Sequence, residues 1–176
     1  NYTNIGLSRA LNTGIRFALS FSWCDLILLL DQDSVLKRDG LVQLVQALNN
    51  SNFDILGPEI CLNQTSRSLQ NIALEISSRD VIITSGSLIR RQVFERIGLM
   101  DEHLFIDYID YEWCYRAKSK GCKIGIVTGA VMIHELGSRS LNFFLFSKPI
   151  HNNTKRHYYI IRNGLIFSNR SYIPMK

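Results

Sequence analysis

Leu26-Ile27-Leu28-Leu29-Leu30-Asp31-Gln32-Asp33-Ser34 is the stretch whose reading decides the fold. Five aliphatic residues in a row, closed by polar ones, read as a short buried strand. Two carboxylates stand at its end, one residue apart. If the strand continues, its period of two points Asp31 and Asp33 to one side and Gln32 to the other. Like charges this close repel unless water surrounds them or a cation lies between them. Hard oxygen donors suit Mg²⁺ or Mn²⁺, ions that carry phosphate oxygens. Taken alone, the pair reads equally well as a solvated loop that holds two Asp residues.

Outward from this strand, helical and extended patterns alternate. Leu7, Ala10, Leu11, Ile15, Ala18 and Leu19 form the apolar stripe of a helix over Gly6 to Ser20. A helix packed on a parallel sheet normally follows a strand, and none precedes this one. The expectation is a chain lacking its first strand-helix unit. Gly40 to Leu48 reads as a second helix, and Ile55 to Gly57 as a short strand halted by Pro58. Ile72 to Ile76 and Val81 to Thr84 read as strands around a turn at Ser77 to Asp80. Ser85-Gly86-Ser87 is a small-residue stretch where backbone could approach a ligand closely. Arg91 to Ile97 is a short helix closed by Gly98. Asp110 to Lys120 is a helix with Asp110 as N-cap and Gly121 just past its end. Lys123 to Val127 and Ala130 to Ile133 read as strands. The class is α/β.

Composition sets the outer limits. With 176 residues, 46% of them hydrophobic, the chain can bury one sizeable core. Aromatic content of 10% and charged content of 20% argue against disorder. Twenty Lys and Arg against fifteen Asp and Glu leave a net charge of +5, which suits an anionic substrate or membrane surface without calling for nucleic acid. Cys24, Cys61, Cys114 and Cys122 show neither CxxC nor metal-finger spacing, so free thiols in a reducing, cytoplasmic setting are expected, with Cys24 and Cys114 in apolar or amphipathic segments. Triplets such as Asn63-Gln64-Thr65 arise by chance in an Asn-rich chain. The longest apolar candidate, Phe17 to Leu30, is broken by Asp25 and several Ser.

A second cluster of carboxylates, Asp107, Asp110 and Glu112, crowds the start of a helix in Phe105-Ile-Asp-Tyr-Ile-Asp-Tyr-Glu-Trp-Cys-Tyr-Arg116. The helix dipole favours negative charge there, and residue types alone favour a capping role. Asp107 lies outside the helix, where capping does not explain it. A carboxylate so placed also suits a general base, its pKa held low and its proton-accepting form ready. His134 closes the last strand; it is either a structural residue or, beside two Asp, a third ligand for an Mn²⁺-like ion. Gly137 and Arg139 beyond it form a small basic turn.

Taken in order, Asn4-x-Gly6, Asn12-x-Gly14-Ile15, Asp31-Gln32-Asp33, Ser85-Gly86, the Asp110 helix and His134 resemble glycosyltransferase family 2. The stretch FIDYIDYEWCYRAKSKG and the following HELGSR are similar to bacterial rhamnosyltransferases. The resemblance covers almost the whole chain. It implies a GT-A, Rossmann-type mixed sheet flanked by helices, in a catalytic domain over residues 1–154 followed by a helical tail over 155–176. Asp31 and Asp33 resemble the DxD element that holds Mg²⁺ or Mn²⁺, with His134 able to complete the coordination. Asn4, Gly6, Asn12 and Asp31 match the nucleotide side. Asp110 falls where the family's catalytic Asp stands, although Ile109 replaces the Glu that usually precedes it. Gly86, Asp107, Glu112 and Trp113 fall on the acceptor side.

The resemblance further implies an inverting single displacement. The donor is a nucleotide sugar, dTDP-L-rhamnose for the rhamnosyl enzymes, and the acceptor a saccharide or a lipid-linked one in cell-surface polysaccharide synthesis. A chain without the first strand is expected to bind donor poorly. The tail from Lys155 to Lys176 interleaves basic, aromatic and aliphatic residues, with Gly164 interrupting it. It reads either as a helix touching the inner face of the bacterial plasma membrane or as one packed on the domain. Two other classes stay open: a metal-dependent phosphoesterase, and a non-catalytic module that binds sugar nucleotide.

Overall fold

The structure, a computed structural model, describes residues 3–37, 39–61, 74–134, 140–143, 146–149 and 154–174; at 134, 140–143 and 146–149 the description is of the backbone. The first half runs α1 (Leu7–Leu19), β1 (Leu26–Leu28), β2 (Ser34–Leu36), α2 (Gly40–Asn49), β3 (Ile55–Cys61), β4 (Glu75–Ser78) and β5 (Leu88–Arg90). There follow α3 (Arg91–Ile97), a 3-10 turn (Glu102–Leu104), α4 (Ile109–Ser119), β6 (Ile124–His134), β7 (Ser140–Phe143), β8 (Phe146–Pro149) and α5 (Thr154–Ser168).

The main sheet has the order β1-β5-β3-β6-β2, with β4 also paired to β6, while β7 and β8 form a separate antiparallel pair. β3 and β6 run parallel, and the other pairings in the main sheet are antiparallel. This is the mixed sheet flanked by helices that the sequence implies. β3 does not stop at Pro58. Pro58 pairs with Val127 and Glu59 with Val131, so β6 loops over Thr128 to Ala130 at that point. A residue without an N–H is tolerated where the ladder is already irregular. Gly129, at φ +98°, makes the bend. The two strands read at Lys123 to Val127 and Ala130 to Ile133 are therefore one strand with a bulge. Before the bulge β6 carries β4, and after it β2.

Alternation along the strands divides the core. Ile55, Ile89 and Ile124 face a layer holding Ile15 of α1, Val93 and Phe94 of α3, and Trp113 and Ala117 of α4. Leu56, Leu88 and Val127 face α2 through Leu44, Ala47 and Leu48. α2 has no side-chain cap; its N-cap, Asp39, sits at φ +68°. Its two fully buried leucines, each contributing roughly 1.5–3 kcal/mol, outweigh the ~1 kcal/mol of a missing cap.

Several sequence expectations are corrected. β1 ends at Leu28, not Leu30. Val81 to Thr84 is not a strand, and of Ile72 to Ile76 the described part begins β4 at Glu75, residues 62–73 (with Asn63 to Thr65) lying outside the described residues. α4 begins at Ile109 with Tyr108 as its N-cap, so Asp110 is inside the first turn and is not the N-cap. α5 packs on the domain through Ile166, the second of the two readings of the tail. Cys24 is half-buried and Cys114 is buried, its thiol pushed up to about 12 by burial. Among the described residues, no helix is long and apolar enough to cross a membrane.

Candidate active site

The two Asp of the opening stretch lie in a turn, not along a strand. Ser34 N–H donates to Asp31 C=O at 3.2 Å. What holds this turn is the Ser85-Gly86-Ser87 segment. Leu29 N–H donates to Ser87 C=O (3.0 Å), and Gly86 N–H to Leu29 C=O (2.7 Å). Asp31 N–H donates to Ser85 Oγ (3.0 Å), whose hydroxyl bonds Ser34 Oγ at 2.8 Å. The small residues thus approach the Asp31 turn itself. Gly86 sits at φ +78°, and a Cβ there would lie 2.7 Å from Pro58 Cγ and 2.8 Å from Met132 Sδ. Only glycine serves both demands. Asp31 is half-buried, and Asp33 is exposed.

Asp110 stands in the first turn of α4, near enough to Asp31 to feel its charge. Its carboxylate accepts from Tyr111 N–H at 2.9 Å. Burial raises its pKa above the usual carboxylate value, and the nearby charges of Asp107 and Asp31 push the same way, against the backbone N–H groups that lower it. The low pKa expected at a helix start is therefore corrected: desolvation wins over the helix terminus. Beside Asp110 lies a cavity of about 10 Å³ lined by Ile82, Thr84, Ser87, Met100 and Trp113, room for roughly one water.

The loop leading into α4 is unusual. Phe105, Asp107 and Tyr108 have φ of +61°, +65° and +64°, values that L residues adopt at roughly 1–2 kcal/mol each. Phe105 centres a γ-turn, with Ile106 N–H donating to Leu104 C=O at 2.6 Å. Two neighbours hold it. At the start of α1, Leu7 N–H donates to Phe105 C=O at 2.6 Å, and Gly6, at φ +86°, leaves no room for a Cβ against the Phe105 ring. From α5, Arg156 grips the Asp107 carboxylate through Nε (3.1 Å) and Nη2 (2.9 Å). Asn163 donates to the carbonyls of Leu104 (2.6 Å), Ile106 (2.7 Å) and Asp107 (3.0 Å). Sequence reasoning missed both α5 residues. The spacing of Arg156, Tyr159, Asn163 and Phe167 puts them on one helical face, and that was the available signal.

Other expected site residues have local duties. Asn4 Oδ1 accepts from Gly6 N–H at 3.0 Å, shaping the entry to α1. Asn12 is buried, donating to Met100 C=O (2.9 Å) and Glu102 (3.0 Å) while accepting from Met100 N–H (2.9 Å). Glu112 is 2% exposed, bound by both arms of Arg116 (2.7 and 3.0 Å) and by the Tyr172 hydroxyl. Trp113 is buried against Phe94, and its Nε1–H donates to Gly98 C=O at 3.2 Å. His134 lies opposite Ser34 in the β2–β6 register, next to Asp33 along the backbone. Gly137 and Arg139 lie outside the described residues.

Among the described residues, no three His, Cys, Asp or Glu side chains converge as a ready metal cage. The donor set nevertheless fits a hard divalent ion. Mg²⁺-type ions are held by one or two carboxylates, with waters and substrate phosphates completing the shell. Asp31 and Asp33 in a turn open to solvent offer that chemistry.

No family model matches the chain. It is 31% identical to the dTDP-rhamnosyl transferase RfbF of Shigella flexneri, over 98% of this chain and 62% of that protein. It is 28% identical to the low-salt glycan biosynthesis hexosyltransferase Agl10 of Haloferax volcanii, over 69% of this chain and 46% of that one. The chain thus spans about half to three-fifths of the length of these curated relatives. Two solved structures share the fold: GalNAc-T7 with UDP, GalNAc and Mn²⁺ (TM-score 0.61, 16% identity, 77% of this chain and 31% of that one); and the mannosyltransferase PcManGT from Pyrobaculum calidifontis with GDP-Man and Mn²⁺ (TM-score 0.57, 15% identity, 76% and 37%).

Proposed function

For a chain related to the rhamnosyltransferases and built on the GT-A glycosyltransferase fold, we propose an inverting glycosyl transfer from a nucleotide sugar, with dTDP-L-rhamnose as donor. The acceptor is a saccharide or lipid-linked hydroxyl in cell-surface polysaccharide synthesis, and the enzyme works in the cytoplasm at the inner face of the bacterial plasma membrane. One observation supports this reading above the others: the chain is 31% identical, over 98% of its length, to a dTDP-rhamnosyl transferase. The Asp31 charge also acts on Asp110, in keeping with a DxD turn near the candidate base.

Asp31 and Asp33, with His134 alongside, would hold a Mg²⁺ or Mn²⁺ ion, which when bound neutralises charge on the departing nucleoside diphosphate. Asp110 takes the proton of the acceptor hydroxyl, which attacks the anomeric carbon from the face opposite the leaving group. Configuration inverts, and no enzyme nucleophile is required. The raised pKa of Asp110 strengthens it as a base, since proton-accepting power follows basicity. Of the expected acceptor-side residues, Glu112 and Trp113 support α4, Gly86 packs on Pro58 and Met132, and Asp107 is held by Arg156, so on this reading they shape the acceptor side around Asp110.

The test is a panel of nucleotide sugars assayed with and without Mn²⁺ or Mg²⁺, on the full-length protein and its Asp110→Asn variant. The expected outcome is metal-dependent turnover of dTDP-L-rhamnose. The variant should lose activity by about a hundredfold or more while its donor affinity stays unchanged. Retention of transfer by the variant overturns the assignment of the base. Hydrolysis of simple phosphodiesters in place of sugar transfer would favour a phosphoesterase.

A further inference from the structure

Asn163-Gly164 in the middle of α5 is a poor helix-forming pair, and helix formation does not explain it. The loop before α4 does. The positive φ angles at Phe105 and Asp107 help turn the carbonyls of Leu104, Ile106 and Asp107 to one side. All three meet the single Asn163 side-chain nitrogen, at 2.6, 2.7 and 3.0 Å, and Asn163 is fully buried. At Gly164 a Cβ would lie 3.2 Å from the Tyr108 hydroxyl oxygen, tighter than side chains normally pack. One turn earlier the Tyr159 ring stacks on Phe105 at 4.7 Å, and Arg156 binds Asp107 with two nitrogens. One face of α5 is therefore complementary to a backbone conformation that the loop would not hold by itself. Two residues after that loop stands Asp110.

We propose that Asn163 and Arg156 are positioning residues, which act through the 104–108 loop to hold the Asp110 carboxylate where it meets the acceptor hydroxyl. The inference rests on the reading of Asp110 as the base. α5 is on this account part of the catalytic apparatus rather than an appended tail. A shift of a base by a fraction of an ångström costs rate without costing donor affinity, because the donor diphosphate is held elsewhere, at the DxD turn.

The experiment compares Asn163→Ala, Arg156→Ala, Arg156→Lys and Asp110→Asn in the full chain. Release of dTDP from dTDP-L-rhamnose with Mn²⁺ gives kcat and KM, calorimetry gives donor Kd, and amide hydrogen exchange reports on residues 104–110. For Asn163→Ala and Arg156→Ala the expected result is a kcat lower by about 10- to 100-fold. Donor Kd should stay within about threefold. Exchange should be faster in 104–110 and unchanged in α2 and β6. Arg156→Lys should recover part of the rate. If Asn163→Ala does not fold, Arg156→Ala, at a half-exposed ion pair, carries the test. The proposal is overturned if the folded variants keep kcat within about twofold of wild type, if kcat and donor affinity fall together, or if exchange in 104–110 does not change. Asp110→Asn separates the two readings. An active Asp110→Asn removes the base itself, whereas an inactive one beside fully active Asn163 and Arg156 variants removes only the positioning.

Discussion

Asp110 shows how far residue types alone carry an argument. Its identity and place before a helix are readable in the chain, and so is its candidacy as a base. Its protonation behaviour is not, because burial depends on Ile55, Ile82 and Ser87 arriving from distant segments. The folded-state pKa lies above the unfolded one, so the folded chain holds this proton more tightly and ionisation opposes folding. The contribution of Asp110 to stability is thus greatest at low pH and falls as pH rises from the unfolded carboxylate range through the raised value. Asp110→Asn should therefore melt higher than wild type at pH 7, and the gain should vanish at acid pH, where the carboxyl is protonated in both states. A lower Tm at pH 7 would contradict the burial argument. Glu112, three carboxylates into the same cluster, is the opposite case. Its charge is matched by Arg116, which also donates to the carbonyls of Ile97 (2.5 Å) and Leu99 (2.8 Å). Glu112→Ala leaves that cation largely buried without its partner. The expected loss is about 3 kcal/mol, low in the range for broken buried pairs because Arg116 keeps its carbonyl partners. Urea unfolding measures it.

At the scale of elements, the helices were readable and the turns were not. Amphipathic spacing and Gly98 delimit α3, and Gly121 marks the end of α4, because those signals act locally. The start of α4 is set from outside by α1 and α5, so no local rule finds Tyr108 as the cap. Pro58 misleads for the same reason: it ends a strand only where the ladder needs its N–H, and the β6 bulge removes that need. The DxD turn likewise depends on Ser85, fifty-four residues away. Ser85→Ala removes the hydroxyl that bonds both Asp31 N–H and Ser34 Oγ. The cost should be about 1–3 kcal/mol, seen as a lower urea midpoint at unchanged slope. A midpoint equal to wild type would mean that the clip does not hold the turn.

For the whole molecule, the α/β class is legible in the alternation of helical and extended patterns, and the mixed sheet only through the family resemblance. Which loops converge at one end is not. Convergence is a property of register, such as Ser34 opposite His134, and register is decided by the assembled sheet. The consequence is measurable by mass action. A nucleotide that binds the folded state alone stabilises it by about 2.7 kcal/mol at a hundredfold excess over Kd, which for a domain of this size is a Tm rise of roughly 5–10 °C. If the Asp31–Asp33 turn holds an ion that carries the diphosphate, dTDP with Mn²⁺ should give a shift of that order. Neither dTDP with chelator nor Mn²⁺ alone should approach it. Asp33→Asn should remove most of the difference between the metal and chelator conditions. An equal shift with and without Mn²⁺ would detach the carboxylate pair from the metal role and leave the nucleotide bound by other groups.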